Sequence, residues 1–174
     1  MKFELSKAKE VLTQTPTTLT SLLGSLSEEW LKNNEGEDTW SPHDVVAHLV
    51  DGEMSNWMVR IKIILDDSGN KHFEPFDRGA YLNKSKEEKT SKVLDTFSRL
   101  RSDNLDELDA LKLSQTDLIK TGIHPEFGEV TLKQLVSTWA THDLGHIAQI
   151  ARVMAKQFKS EVGPWAGYLG ILKR

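Results

Sequence analysis

The amino-acid sequence predicts an all-α protein built as a four-helix bundle. Apolar residues recur at helical spacing in four long stretches of the chain, and turn-forming residues separate these stretches. The connection between the second and third stretches, residues 67–84, is much longer than the others, as in bundles that contain a crossover. With 174 residues, the chain is long enough to bury a sizeable core, so we expect a single domain over residues 1–174.

The composition narrows the classes of function. Hydrophobic residues make up 38% and charged residues 28% of the chain, the net charge is −4, and no basic block suggests a nucleic-acid partner. No apolar run approaches the roughly 18 residues that span a membrane, and the N-terminus lacks the apolar core of a signal peptide. We therefore expect a cytoplasmic protein. The chain has no cysteine, which excludes disulfides, thiolate ligands and a cysteine nucleophile.

The first two helices are predicted from apolar periodicity and capping signals. The first covers residues 4–33 and is expected to be interrupted near Pro16, because proline removes a helical hydrogen bond. The second runs from Pro42 to about Asp66. Ser41 can cap it, proline suits the first helical position, and Asp44 lies near the positive end of the helix dipole.

The remaining helices and connections are predicted from the same sequence signals. The connection 67–84 is expected to cross over the bundle or to lie across a site. The third helix, from about 85 to 113, mixes apolar and charged residues, and its solvated face carries no obvious chemistry. A turn at 121–128 precedes the fourth helix, which Thr131 can cap and which extends to Phe158. The tail, residues 163–174, is expected to pack back on the bundle.

The candidate functional residues begin with a pair of histidines on the fourth helix. His142 and His146 are four residues apart, so their side chains project from one face, rotated by about 40° and displaced by about 6 Å. Rings that converge in this way can hold one metal ion at about 2.0–2.1 Å. Such a pair also arises often by chance, and two ligands make only a weak site. A third ligand is therefore needed, and His48 on the second helix is the candidate.

Other histidines suit this role less well. On its own, His48 is more typical of a packed, hydrogen-bonded histidine, because it lies just beyond the edge of the apolar stripe. His43 is expected in solvent near the start of the second helix, and His72 in the long connection is expected to be solvated too. His124 precedes the fourth helix by enough chain that it would have to double back by roughly 16 Å to reach His142.

Three further residues are expected near this site. Trp139, three residues before His142, is expected to form a wall of the site. Asp143 and Glu53 lie on the apolar sides of their helices, where a carboxylate is costly unless it is paired or hydrogen-bonded. We expect Asp143 to contact the second helix and to orient His48. Glu53 is expected to bond a tyrosine, a tryptophan or a backbone group between helices.

The combination of these motifs resembles the DinB superfamily over nearly the whole chain. The matching residues are Trp40-Ser41-Pro42, Val46-Ala47-His48-Leu49 with Glu53, His124-Pro125, Gly128, Thr131-Leu132 and His142-Asp143-x-x-His146-x-x-Gln149. The resemblance implies a four-helix bundle in an up-down-down-up arrangement, often as a homodimer. It also implies a divalent ion such as zinc or nickel held by the three histidines at 48, 142 and 146, with Gln149 beside them.

The resemblance further implies an activity, and it leaves alternatives open. Several characterised relatives are metal-dependent transferases or isomerases that use a low-molecular-weight thiol such as bacillithiol, mycothiol or glutathione. Three imidazoles leave open coordination positions, and a cation there would acidify a bound thiol. Because the chain has no cysteine, that thiol must be a cosubstrate that reacts with a small electrophile. Hydrolysis by metal-activated water, or metal binding without turnover in a stress-response protein, would explain the same residues.

Overall fold

Four long helical segments form the framework of the computed structural model, which describes residues 2–173. The helices are α1 (Leu5–Leu23), α2 (Glu28–Lys32), α3 (Pro42–Ser55), α4 (Trp57–Leu65), α5 (Ala80–Ser85), α6 (Thr90–Ala110) and α7 (Leu132–Lys156). Two strands, β1 (Thr121–His124) and β2 (Gly128–Thr131), pair as an antiparallel hairpin before α7. The predicted four-helix bundle is confirmed, with α1, the pair α3–α4, α6 and α7 as its four members.

Contacts near the helix ends give the direction of the first three members. Lys9, early in α1, pairs with Asp109 at the end of α6, so these two helices are antiparallel. Lys62 and Glu107, both late in their segments, form an ion pair of 2.7 Å, so α4 and α6 run the same way. Two consecutive parallel members need a connection that returns along the bundle, which is the role of residues 66–89.

Contacts of α7 complete the arrangement. Trp57 at the start of α4 stacks on Trp139 of α7, whereas His48, earlier in α3, faces the later residue His146. The pair α3–α4 is therefore antiparallel to α7, and α7 is parallel to α1. Up-down-down-up is the resulting order, as the sequence resemblance implied.

The predicted caps of two helices are confirmed. The Ser41 hydroxyl accepts from the amide of Asp44, whose carboxylate accepts from the amide of Ser41 in return, and Pro42 occupies the first helical position. Thr131 and Gln134 form the same reciprocal pair at the start of α7. Each capping box satisfies amides that the helix cannot, and so it fixes where α3 and α7 begin.

The predicted interruption at Pro16 is wrong, because α1 continues through this residue to Leu23. A proline has no N–H to give to the carbonyl four residues before it. Here the freed carbonyl oxygen of Leu12 accepts a hydrogen bond of 2.8 Å from the Arg101 guanidinium of α6. The bond that proline removes from the helix is thus replaced by a bond between two helices.

The first three predicted helices are each divided, the first of them between Leu23, where α1 ends, and Glu28, where α2 begins. The second is broken at Asn56, whose φ of −112° and ψ of −70° depart from helical values. The predicted start of the third helix at Ser85 instead marks the end of the short helix α5, and α6 begins at Thr90. Asp51 holds α5 against α3, since its carboxylate accepts from the amide of Tyr81 at 2.7 Å.

His43 corrects another expectation, because it is buried rather than solvated. Its Nε2 donates to the carbonyl of Ser85, and its Nδ1 contacts the Thr90 hydroxyl, each at 3.0 Å. The ring thus ties α3 to the end of α5 and the start of α6. Helix periodicity places it near the N-terminus of α3, but nothing in the local sequence shows that the crossover covers it.

The remaining segments pack at the two ends of the bundle. Phe73 of the crossover is buried, and His72 pairs with Ile123 of the hairpin. As expected, the tail returns to the bundle, where Leu172 is buried, although Trp165 and Tyr168 stay exposed. Within residues 2–173, no helix is long and apolar enough to cross a membrane.

Candidate metal centre

Three histidines from two helices meet at one point of the structure. His48 comes from α3, and His142 and His146 come from consecutive turns of α7. One nitrogen from each ring lies within 4.8 Å of the other two. The antiparallel contact between α3 and α7 brings these residues together across a separation of 94 positions. We call these residues the histidine triad.

The spacing of the triad fits a single metal ion. Nε2 of His142 lies 3.2 Å from Nε2 of His48 and 3.0 Å from Nε2 of His146. Two nitrogens that each lie 2.0–2.1 Å from one ion, at angles between octahedral and tetrahedral, are about 2.8–3.4 Å apart. The donor set suits zinc, nickel, copper or iron alike, since imidazole binds all of them. Three protein ligands also leave coordination positions free for a substrate.

Burial keeps these imidazoles neutral. It lowers the pKa of His48 to about 4 and the pKa of His142 to about 3, and the charge of His146 acts in the same direction on both. Burial also lowers the pKa of His146, opposed by its hydrogen bond to Gln149. A neutral ring is the form that binds a metal ion. At neutral pH the triad is therefore ready to act as a ligand set without releasing protons.

Gln149 lies where the sequence motif suggested. Its Oε1 is 2.8 Å from Nδ1 of His146, so the ring donates there and keeps the lone pair of Nε2 directed at the triad. Nδ1 of His48 and Nδ1 of His142 are buried and have no hydrogen-bond partner among the described residues. Of the three rings, only that of His146 thus has a side-chain partner at Nδ1 among the described residues.

Two tryptophans pack directly against the triad, and Trp139 is not one of them. The ring of Trp57 lies 5.1 Å from that of His142, edge to face, and the ring of Trp40 lies 4.8 Å from that of His48. Trp139 is wholly buried one layer deeper, stacked on Trp57 at 5.8 Å. The expected wall at Trp139 is therefore formed by Trp57. Gly52 permits this, because a Cβ there would lie 3.0 Å from the Trp57 indole nitrogen.

Behind the triad lies a buried ionic group centred on Arg101 of α6. Its guanidinium donates to both carboxylate oxygens of Asp143, at 2.6 and 3.1 Å, and to Glu53 at 2.8 Å. Glu53 also accepts from the indole N–H of Trp139 at 3.0 Å, in line with the tryptophan partner expected for it. All four side chains are buried. We call these four residues the arginine network.

The arginine network differs from the expectation for Asp143. Its partner belongs to the third bundle member rather than the second, and it makes no contact that orients His48. No role was predicted for Arg101, because the charged residues of the third helix were expected on its solvated face. Arg101 stands four residues after Phe97, whose ring it overlies at 4.9 Å. That spacing places it on the apolar face, and this is the signal that could have identified it.

The triad opens on a cavity of about 810 Å³. Residues of the crossover and of the hairpin line its other sides, so the long connection does lie across the site. Five aromatic side chains line it: Trp40, Trp57, Phe73, Phe76 and Phe127. Its charged lining residues are Arg60, Arg78 and Glu126. A cavity that combines aromatic walls, several polar groups and a ligand set at one side is typical of a small-molecule site.

The two other candidate histidines differ in position. His72 is exposed on the crossover and takes no part in the triad. His124 lines the cavity but is also outside the triad. Its Nδ1 accepts from the backbone amides of Glu126 and Phe127, and its ring stacks on Phe127 at 4.5 Å. His124 therefore shapes the hairpin turn that borders the cavity.

Comparisons with known proteins agree with this architecture. A protein of Bacillus cereus strain B4264 named "Putative metal-dependent hydrolase" is 31% identical over 145 residues, which cover 78% of this chain and 76% of that protein. YfiT from Bacillus subtilis, described as a probable metal-dependent hydrolase with an unusual four-helix bundle topology, gives a TM-score of 0.74 at 23% identity. The match covers 94% of this chain and 90% of YfiT.

A second solved structure and a family model complete the comparison. The four-helix bundle protein TT2238 gives a TM-score of 0.59 at 21% identity, covering 85% of this chain and 98% of its own. Both solved structures share the fold. The family model described as the DinB superfamily matches residues 12–150, a span that includes α3, α6 and the whole histidine triad. This chain is a member of the DinB superfamily.

Proposed function

We propose that this protein is a metal-dependent enzyme in which His48, His142 and His146 hold one divalent cation, zinc or nickel, at the side of a substrate cavity. The convergence of three neutral imidazoles on the wall of an 810 Å³ cavity carries the proposal. When bound, such a cation lowers the pKa of a coordinated thiol or water and so supplies a nucleophile near neutral pH.

We favour transfer to or from a low-molecular-weight thiol. The chain contributes no cysteine, so the thiol enters as a cosubstrate. The cavity is in the upper part of the range of about 300–1,000 Å³ found for ligand pockets, which leaves room for a thiol and an electrophile together. The aromatic walls, Trp40 and Trp57 among them, give this space an apolar surface that favours an apolar electrophile.

The protein residues around the triad position it rather than react. Gln149 orients His146, and Trp57 packs against His142. Asp143 and Glu53 are both buried and paired with Arg101, and neither lines the cavity, so they are not free to act as general bases. Among the described cavity residues the one carboxylate is Glu126, which belongs to the turn of the hairpin rather than to the helices of the triad. The absence of a free carboxylate beside the ligands, among the described residues, favours a substrate whose own proton is acidified.

Hydrolysis is the second candidate. It is supported by the Bacillus cereus relative at 31% identity, whose name describes a metal-dependent hydrolase. The same triad can lower the pKa of a coordinated water, and the same cavity can hold an ester or amide.

One experiment separates the candidates. The purified protein is analysed for metal, and the loaded protein is then assayed with a panel of thiols against one electrophile, and with esters and amides without thiol. Thiol-dependent turnover supports transfer, and cleavage without thiol supports hydrolysis. Bound metal with neither activity would contradict an enzymatic role and leave a metal-binding protein.

The ligand set has its own test. His48→Ala, His142→Ala and His146→Ala should each remove most of the bound metal while circular dichroism stays helical, because two imidazoles hold a cation only weakly. His72→Ala is the matched control, since this exposed histidine is outside the triad. Full metal occupancy in any of the three variants would remove that residue from the ligand set.

We also propose that the protein works in the cytoplasm as a homodimer, without nucleic-acid or membrane partners. Exposed aromatic side chains near the C-terminus support self-association: Phe158, Trp165 and Tyr168 are all solvent-accessible in the single chain. Light scattering after size-exclusion chromatography should give twice the mass of one chain. A monomer at micromolar concentration would contradict this.

A further inference from the structure

A buried arginine without an acidic partner lies in the wall of the cavity. Arg60 of α4 is 8% exposed, and no carboxylate of the described residues pairs with it, in contrast to the doubly paired Arg101. Its one hydrogen bond goes from Nη2 to the carbonyl of Glu74 at 3.2 Å. A guanidinium carries five N–H donors, and a buried charge is costly unless it is paired. Most of these N–H groups therefore have no hydrogen-bond partner among the described residues.

The surroundings of Arg60 are arranged around this cation. Its guanidinium carbon lies 5.0 Å from the centre of the Phe73 ring, which fixes the plane of the group against the crossover. Asn56, one turn earlier, also lines the cavity. Among the described residues, the charge of Arg60 is thus met only by an aromatic ring and one backbone carbonyl.

The charged residues that line the cavity also favour an anionic ligand. Arg78 of the crossover also lines it, and Glu126 is the one acidic lining residue among the described part of the chain. The cavity thus combines a metal ligand set with two arginines and a single carboxylate.

We propose that the cavity binds a small molecule that carries a carboxylate group, and that Arg60 is the residue that receives this carboxylate. A planar guanidinium matches a carboxylate through two parallel N–H···O bonds. The aromatic walls would contact the apolar part of the same molecule, and its reacting end would face the triad. The inference deepens the proposed function by giving the substrate class of the same site, and it rests on the cavity being the substrate site.

The test compares two ligands that differ only in the charged group. Metal-free protein at pH 7.5 is titrated calorimetrically with 3-phenylpropanoate and with 3-phenylpropan-1-ol. We expect the carboxylate to bind at least about tenfold more tightly, as one charge-assisted pair allows. Arg60→Gln should abolish this preference, and Arg60→Lys should keep only part of it. Since neither metal nor turnover is needed, this result stands or fails separately from the proposed activity.

Controls distinguish a binding role from a structural one. Arg99→Gln removes an exposed arginine of α6 that pairs with Asp103, and it should leave the preference unchanged. If Arg60→Gln does not fold, sulfate should still displace the carboxylate, but not the alcohol, from the wild-type protein. Equal affinity for the two ligands in the wild type, or loss of the preference in Arg78→Gln but not in Arg60→Gln, would overturn the proposal. In the metal-loaded enzyme, Arg60→Lys should raise the KM of whichever substrate carries the carboxylate, thiol or electrophile.

Discussion

Arg101 of α6 joins its helix to the other three members of the bundle. It binds Asp143 of α7, Glu53 of α3 and the carbonyl that Pro16 leaves free in α1. The two carboxylates raise its pKa against the opposing effect of burial, so it remains a cation in the core. A buried ion pair adds little stability against a well-packed apolar group, but removing one partner is costly because the other charges stay buried.

We therefore expect Arg101→Gln to be strongly destabilising. It leaves Asp143 and Glu53 without their cation, and breaking a buried pair in this way costs about 3–5 kcal/mol. Urea unfolding of metal-free protein measures the effect. Arg99→Gln, the exposed arginine half a turn away, should change the free energy of unfolding by less than about 0.5 kcal/mol. Equal effects of the two substitutions would show that the arginine network contributes nothing specific.

Glu35 gives a prediction about pH. Hydrogen bonds from Arg152 hold the pKa of this carboxyl below its ordinary value of 4.5, with Lys156 adding to the effect. Because the folded-state pKa is the lower one, the stabilisation is fully present above pH 4.5 and is lost as the pH falls through the folded value. Glu35→Gln should thus cost about 1 kcal/mol at pH 7.

The difference between wild type and Glu35→Gln should then shrink as the pH is lowered from 4.5 towards 3. Unfolding in urea at several pH values measures it. A constant difference across this range would show that the substitution acts through packing rather than through the charge.

At the scale of elements, the sequence was informative wherever local rules decide the outcome. The capping residues Ser41 and Thr131 mark the starts of α3 and α7 because a cap depends only on its immediate neighbours. The spacing of His142 and His146 likewise follows from one helix. These local features account for two of the three proposed ligands. The third, His48, lies beside them because α3 packs against α7.

Contacts between residues that are far apart in the sequence account for most differences between the predicted and the observed structure. Pro16 does not end α1, because its missing hydrogen bond is replaced from α6, which local sequence cannot show. The strands β1 and β2 were missed because each has only four residues and they lie beside a turn. Trp57 replaces Trp139 as the residue beside His142, because the helix breaks at Asn56 and presents the new helix start to the triad.

The position of Trp57 beside His142, where Trp139 was expected, gives a prediction about tryptophan fluorescence. Nickel, copper or cobalt added to metal-free protein should quench part of the tryptophan fluorescence, and zinc should compete the quenching away. Since Trp57 contacts His142 and Trp139 lies behind it, Trp57→Phe should remove more of the quenched signal than Trp139→Phe. Trp165→Phe, on the exposed tail outside the cavity, is the control and should leave the quenched part intact. Quenching that survives in His142→Ala would contradict the site.

At the scale of the whole molecule, the triad joins two members of the bundle that meet across a long stretch of chain. His48 belongs to α3 and the other two ligands to α7, and the crossover between them covers the cavity. The unfolded chain cannot keep these three imidazoles together, so a cation held by all three binds the folded state almost exclusively. Metal binding is then coupled to folding of the whole bundle.

Zinc should accordingly raise the melting temperature. At a free concentration of one hundred times the Kd, binding to the folded state alone adds about 2.7 kcal/mol. For a chain of this size that corresponds to a rise of about 5–11 °C. Scanning calorimetry with and without zinc measures it. His48→Ala should lose most of the rise although two ligands remain on α7, because the link between helices is gone, whereas His72→Ala should keep it. A full rise in His48→Ala would place the cation on α7 alone and separate metal binding from the packing of the two helices.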